Sequence, residues 1–190
     1  MSTIRIGIQG DRGSTNERAC TFFAHKYGWE DWEINYLIST EQVLSSLVKD
    51  EIDYGTFAWE SSRGGFVRET QEAIEKYTFQ KIDEEKFQLD HALLCNSQID
   101  TLKPVQIYSH PQALKEHEPF LMREFQTAQL REEVDTAISA KKLQNNEYPS
   151  NSMIIAPISC ADIYGLDTYL SDVPTNKGYL TTIYLVQKKI

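Results

Sequence analysis

The side chains best suited to chemistry fall in short loops. Gln9-Gly-Asp-Arg-Gly13 is a glycine loop, and Ser14, Thr15 and Asn16 follow it. A helix starting at these residues has backbone N–H groups without an internal acceptor, which suits a carboxylate. The same residues also serve as ordinary helix caps. Generic catalytic patterns are missing. Gly7, Gly10 and Gly13 do not fit G-x-G-x-x-G, and there is no P-loop and no G-x-S-x-G. His25, His91, His110 and His117 lack zinc-ligand spacing, so no metal is expected, and no cofactor either. Cys20, Cys95 and Cys160 are odd in number, far apart and form no C-x-x-C, which reads as reduced, mostly buried thiols.

The elements that must position these loops alternate. Ile4–Ile8 has period two and reads as a strand. Ser14 and Glu17 have capping-box spacing before a helix over Ala19–Tyr27. Ile34–Ile38 is a second strand, Ser39 and Gln42 open a second helix, and Asp53–Trp59 is a third strand. Strand, helix, strand, helix, strand is the signature of an α/β fold. A helix to about Tyr77 follows Gly65. Phe79–Leu94 reads as extended, with a turn at Glu84-Glu-Lys86. Val105–Tyr108 is a strand, and His110-Pro-Gln starts a helix with Pro111 in its first turn. A strand near Gln126–Leu130, a helix near Thr136–Leu143, a strand at Met153–Pro157 and a helix at Ser159–Tyr164 stopped by Gly165 come next. Tyr179–Gln187 closes the chain as a strand.

Charge and length narrow the class. With 190 residues the chain can bury about 70% of its unfolded surface and needs no metal or disulfide to fold. The net charge is -9 and the basic residues are scattered, so nucleic acid is not an expected partner. A small anion remains compatible, because a few donors at close range outweigh the global field. No apolar run approaches the ~18 residues of a membrane span, and the N-terminus has no signal-peptide pattern, so a cytoplasmic protein is expected.

Taken in order, the short segments resemble the prephenate dehydratase family over essentially the whole chain. Gly10-Asp-Arg-Gly-Ser-Thr15 is similar to its G-P-x-G-[TS], and Ala58-Trp-Glu-Ser-Ser-Arg-Gly-Gly65 to its P-x-E-N-S-x-x-G. His91-Ala-Leu-Leu94 stands for H-x-L-L, and Tyr108-Ser-His-Pro-Gln-Ala-Leu114 repeats Y-S-H-P-Q-A-L unchanged. Asp135-Thr-Ala137 is similar to S-T-A, Ala161–Leu166 to A-A-x-x-Y-G-L, and Asp172–Asn176 to D-x-x-x-N. The resemblance implies a two-lobed α/β fold of the type II periplasmic-binding-protein kind with an interlobe cleft. Residues 1–80 with 178–190 would form one lobe and 81–177 the other. The regulatory ACT domain frequent in the family is not expected, since the sequence ends at Ile190.

The departures from the family are specific. Its D-x-x-x-N continues as N-x-T-R-F, whose Thr and Arg are central to catalysis, but Gly178, Tyr179 and Leu180 stand there. Sliding three residues brings Thr181 into register without restoring the arginine. The asparagine of E-N-S is Ser61, and a family glutamine is Glu116. Prephenate carries a ring carboxylate, a pyruvyl side chain and a C4 hydroxyl. A dehydratase expels carbon dioxide and hydroxide together, and the hydroxyl needs a proton donor to leave. Without the Thr-Arg pair, a protein on this scaffold would release carbon dioxide and protonate a ring carbon instead, keeping the hydroxyl. That resembles the non-aromatising prephenate decarboxylases of bacilysin-type pathways, which make a dihydro-4-hydroxyphenylpyruvate for natural-product biosynthesis. Ordinary dehydration to phenylpyruvate, with Thr181 or Thr182 standing in, is the second reading. An inactive binder of small carboxylates is the third.

The implied site has Glu60, Glu116 and Ser109 as catalytic candidates, with Glu60 or Glu116 as proton donor. Substrate would meet Gly13, Ser14, Thr15, Asn16, Ser61, Ser62, Arg63, His110, Gln112, Asn176, Gly178 and Tyr179. Arg12 and Arg63 are the nearest loop guanidiniums able to replace the missing arginine as a carboxylate clamp. The resemblance also implies a homodimer.

Overall fold

The computed structural model describes residues 3–62, 65–96, 98–174 and 180–189. The chain divides into two compact units, one of Met1–Gln88 with Gly178–Ile190 and one of Leu89–Lys177. The first unit runs β1 (Ile4–Ile8), α1 (Thr15–Lys26), β2 (Trp32–Tyr36), α2 (Thr40–Val48), β3 (Tyr54–Ser61), β4 (Gly65–Phe66), α3 (Arg68–Ile74) and β5 (Phe79–Gln88). The second runs β6 (His91–Cys95), β7 (Gln106–Ser109), α4 (Pro111–Glu124), β8 (Gln129–Glu132), α5 (Thr136–Gln144), β9 (Ser152–Pro157), α6 (Ser159–Tyr164) and β10 (Asp167–Leu170). The chain then returns to the first unit as β11 (Leu180–Lys188).

The first sheet has the order β2-β1-β3-β11-β5, with β4 added to β3. Its first three strands are parallel, as βαβ crossovers require, and β11 is antiparallel to both β3 and β5. Gly55 lets α2 approach this sheet, and Gly7 leaves room for Ile52 and Leu37. Gly7 and Gly55 face each other in register between β1 and β3. A Cβ on Gly55 would lie 2.6 Å from Val43 Cγ1 of α2, and one on Gly7 would lie 2.5 Å from Ile52 Cδ1. The helix face of Val43, Leu44 and Leu47 then buries against Phe57 and Val186. Phe23 and Phe57 are fully buried, each removing apolar surface worth about 1.5–3 kcal/mol.

The second sheet has the order β10-β6-β9-β7-β8. Strands β7, β8 and β9 are parallel, while β6 and β10 run against them. Every residue of β6 and β9 is buried, which explains their continuous apolar runs. Ala137, Ala140 and Leu143 of α5 cover one face of this sheet, and Ala113, Leu114 and Leu121 of α4 the other.

Several elements differ from the sequence reading. β5 runs without a break through Glu84–Lys86, because Glu84, Glu85 and Lys86 pair with Tyr184, Ile183 and Thr182 of β11. The partner strand, distant in sequence, overrides a local turn signal. The unit boundary accordingly falls after Gln88 rather than after residue 80. β2 ends at Tyr36, since Ile38 has φ 62° and turns the chain so that its carbonyl accepts from Gly10 N. β10 carried no clear signal beforehand.

Candidate functional site

The first unit gathers polar groups around the start of α1. Gly10 and Gly13 have φ of 102° and 90°, a conformation glycine adopts without strain. Ser14 is the N-cap, and its Oγ accepts from Glu17 N at 3.3 Å. Glu17 does not close a capping box on Ser14. Its carboxylate instead accepts from Gly13 N and from the Tyr36 hydroxyl, each at 2.5 Å. Burial and that bond push the Tyr36 hydroxyl pKa up. Thr15 and Asn16 open the helix, so their amides have no intrahelical acceptor. Asn16 is buried. Its Nδ2 donates weakly to Gln9 Oε1 at 3.5 Å, and its Oδ1 has no hydrogen-bond partner among the described residues.

Gln9 ties this loop to the sheet and helices. Its Oε1 accepts from Ala58 N at 2.9 Å, and its Nε2 donates to Glu69 at 3.2 Å. Glu69 also accepts from Thr40 N at 2.6 Å. The Thr40 and Thr70 hydroxyls lie 2.9 Å apart, and Thr70 donates to the Ala58 carbonyl. Burial pushes the Glu69 carboxyl pKa up, against the bonds from Thr40 and Gln9.

The end of β3 carries Glu60, Ser61 and Ser62. Glu60 is half-buried and paired with Thr182, while Ser61 is buried and paired with Thr181. Ser62 is exposed and bound to β11 twice: its N donates to the Leu180 carbonyl and its Oγ accepts from Leu180 N. Arg63, Asn176, Gly178 and Tyr179, named as substrate contacts from the sequence, lie outside the described residues.

In the second unit, Ser109 is fully buried and its hydroxyl donates to the Ile155 carbonyl at 2.7 Å, tying β7 to β9. His110 caps α4, its Nδ1 accepting from Gln112 N at 3.3 Å, and Pro111 follows at the first turn. Burial lowers the His110 pKa. Gln112 and Glu116 are half-buried on α4, and Glu116 Oε2 is itself buried. Next to Glu116, His117 is fully buried, and its Nε2 lies 3.0 Å from Nδ1 of His91 at the start of β6. Burial is the main reason these rings are hard to protonate, with pKa values lowered to about 3 for His91 and about 4 for His117. His117 and His110 add repulsion at His91, whereas the Pro174 carbonyl and Asp172 partly offset the shift at His117. Sequence reading singled out neither His91 nor His117 for the site, nor Gln9 or Glu69. One signal was present: His117 follows the His110 cap by seven positions, about two helical turns into α4.

Thus the structure collects Gly13, Ser14, Thr15 and Asn16 in one loop and Glu60, Ser61 and Ser62 at one strand end, all in the first unit. Ser109, His110, Gln112 and Glu116 belong to the second. A glycine loop running into a helix start presents backbone N–H groups without an intrahelical acceptor, a chemistry that suits a small organic anion.

The sequence profile of prephenate dehydratase matches residues 6–190, and the chain belongs to the prephenate dehydratase family. It is 24% identical over 180 residues to a bifunctional chorismate mutase/prephenate dehydratase of Buchnera aphidicola, covering 95% of this chain and 46% of the relative. It is 22% identical over 188 residues to arogenate dehydratase 2 of Petunia hybrida, covering 99% and 46%. The chain therefore spans about half the length of these curated relatives. The prephenate dehydratase of Arthrobacter aurescens, solved in complex with L-Phe, superposes with a TM-score of 0.81 at 19% identity, covering 98% of this chain and 60% of that one. No helix among the described residues is long and apolar enough to cross a membrane.

Proposed function

We propose that this protein is a lyase for prephenate or a close cyclohexadienyl relative, and that it removes carbon dioxide without making the ring aromatic. The reading rests on the sequence resemblance, which sets Gly178, Tyr179 and Leu180 against the family's T-R-F, in a chain that the family profile matches over residues 6–190. In the proposed step the bond from the ring to its carboxylate breaks. The electron pair enters the diene, a ring carbon takes one proton, and carbon dioxide leaves. The C4 hydroxyl stays, so one proton is consumed and no water is formed.

Neutral donors suit such a site, since a strong ion pair with the departing carboxylate would stabilise the ground state and oppose its loss. The amides of Thr15 and Asn16, which have no intrahelical acceptor, and the hydroxyls of Ser14 and Thr15 support this part of the reading. Glu60 is the proposed proton donor, because it stands in the same unit as these groups, at the end of β3.

A second reading is dehydration, with loss of carbon dioxide and water to give phenylpyruvate. It is favoured by the pairing of Thr182 with Glu60, which puts a hydroxyl beside a carboxyl, and by the names of the relatives. Incubation with prephenate, and separately with arogenate, decides between the two. A product that keeps the hydroxyl and a non-aromatic ring by NMR supports decarboxylation. Phenylpyruvate overturns it in favour of dehydration, and binding without turnover marks a carboxylate-binding protein instead. The homodimer is proposed on family resemblance, and a light-scattering mass of a single chain would overturn it.

A further inference from the structure

Three side chains able to ligate a metal converge in the second unit. His91 begins β6, and Glu116 and His117 are neighbours on α4. His91 Nδ1 and His117 Nε2 are 3.0 Å apart across 26 positions of sequence, with the rings edge to face. A Glu116 carboxylate oxygen joins them, and one donor atom from each residue lies within 4.8 Å of the other two. We propose that His91, Glu116 and His117 bind one divalent transition-metal ion of the zinc class, leaving coordination positions open to an oxygen ligand.

The donor set carries the assignment. Two imidazoles and one carboxylate form the set of open zinc sites, and the same set serves non-haem iron(II). At zinc–nitrogen distances of about 2.0–2.1 Å, two ligand nitrogens of a tetrahedral ion lie about 3.3 Å apart. The His91–His117 pair needs to open by only a few tenths of an ångström, while the carboxylate moves inward. The backbone at His91 and the burial of His117 fix where the two residues sit. His91 pairs with Pro157 of β9, and its carbonyl accepts from Val173 N. His117 is fully buried on the inner side of its own helix, α4. The turn bearing both α4 donors runs directly into Pro119, which lacks the N–H for the Lys115 carbonyl, so the helix yields there more easily than elsewhere. Glu116 is the half-exposed member and marks the side from which an ion and an oxygen ligand reach the imidazoles.

This inference goes beyond the lyase reading and does not depend on it. A carboxylate held by an ion is not free to deliver a proton, which agrees with placing that role on Glu60.

The test uses the full chain, stripped with a chelator and titrated with Co2+. The expected result is one equivalent bound with a ligand-field band in the visible, displaced by Zn2+, and a Zn2+-dependent rise in Tm. Glu116→Gln should weaken binding by roughly tenfold or more, and His117→Gln should abolish the band. Glu118→Gln, an exposed neighbour on α4, should change neither. If His117→Gln does not fold, Glu116→Gln alone decides. Absence of the band in the folded wild-type chain, or equal affinity in wild type and Glu116→Gln, overturns the site.

Discussion

Thr182 stands opposite Glu60 in the antiparallel ladder of β11 and β3. Directly paired residues project to the same face, so the threonine hydroxyl and the glutamate carboxyl share one side of the sheet while Thr181 and Ser61 share the other. Both threonines are buried. The relationship is set by the backbone and does not depend on how the chain is aligned to its family.

The pair yields a diagnostic double measurement. If carbon dioxide is lost without aromatisation, Glu60→Gln should slow turnover by about 10²-fold or more, the range for a lost general acid, and Thr182→Val should leave it nearly unchanged. If the reaction is dehydration, Thr182→Val should slow phenylpyruvate formation by a comparable factor. Chromatography of both products from each variant checks this. A Glu60→Gln protein with full turnover removes Glu60 as the donor.

Restoring the family segment tests the larger proposal. Replacing Gly178-Tyr179-Leu180 with Thr-Arg-Phe should shift product from the non-aromatic acid toward phenylpyruvate. A folded variant that still makes only the non-aromatic product shows that the loss of these residues did not change the reaction.

Glu69 gives a pH signature of the network under the first loop. Burial holds its folded pKa above the ordinary 4.5, so the folded chain keeps this proton where the unfolded chain has released it. Its contribution to stability is therefore present at low pH and lost as pH rises through the raised folded value. Glu69→Gln removes that dependence while leaving an oxygen for the Thr40 amide. Relative to wild type, the variant should gain stability over the range in which pH rises from the ordinary 4.5 through the raised folded value, by urea midpoints at each pH. A constant difference across that range would show that Glu69 titrates alike in both states.

Gly55→Ala should destabilise the first unit. The new methyl would meet Val43 Cγ1 at 2.6 Å and Val186 Cγ2 at 3.2 Å, in the buried contact between α2 and the sheet. Overpacking of this kind costs about 1–3 kcal/mol. At about 2–4 °C per kcal/mol for a chain of this size, Tm should fall by several degrees, read by calorimetry. An unchanged Tm would mean that α2 shifts at no cost.

The sequence by itself determined the local elements and their class. Ile4–Ile8 appears with the bounds its alternation predicts, the Ser39–Gln42 capping box forms as spaced, and Gly165 ends α6 at φ 62°. Such features depend on neighbours a few residues away, so type and spacing suffice to specify them. The family segments likewise named the loops that carry Ser14, Glu60 and His110. Tertiary structure decided what each side chain does. Glu17 had the spacing to close a box on Ser14 but bonds Gly13 and Tyr36, and Ser109, taken as catalytic, spends its proton on Ile155. Glu84–Lys86 looked like a turn until β11, about a hundred residues on, paired with it. His91 and His117 had no motif between them because 26 positions of strand, loop and helix separate two nitrogens that folding brings to 3.0 Å. Long-range pairing and burial set these outcomes, and neither is encoded in the spacing of adjacent residues.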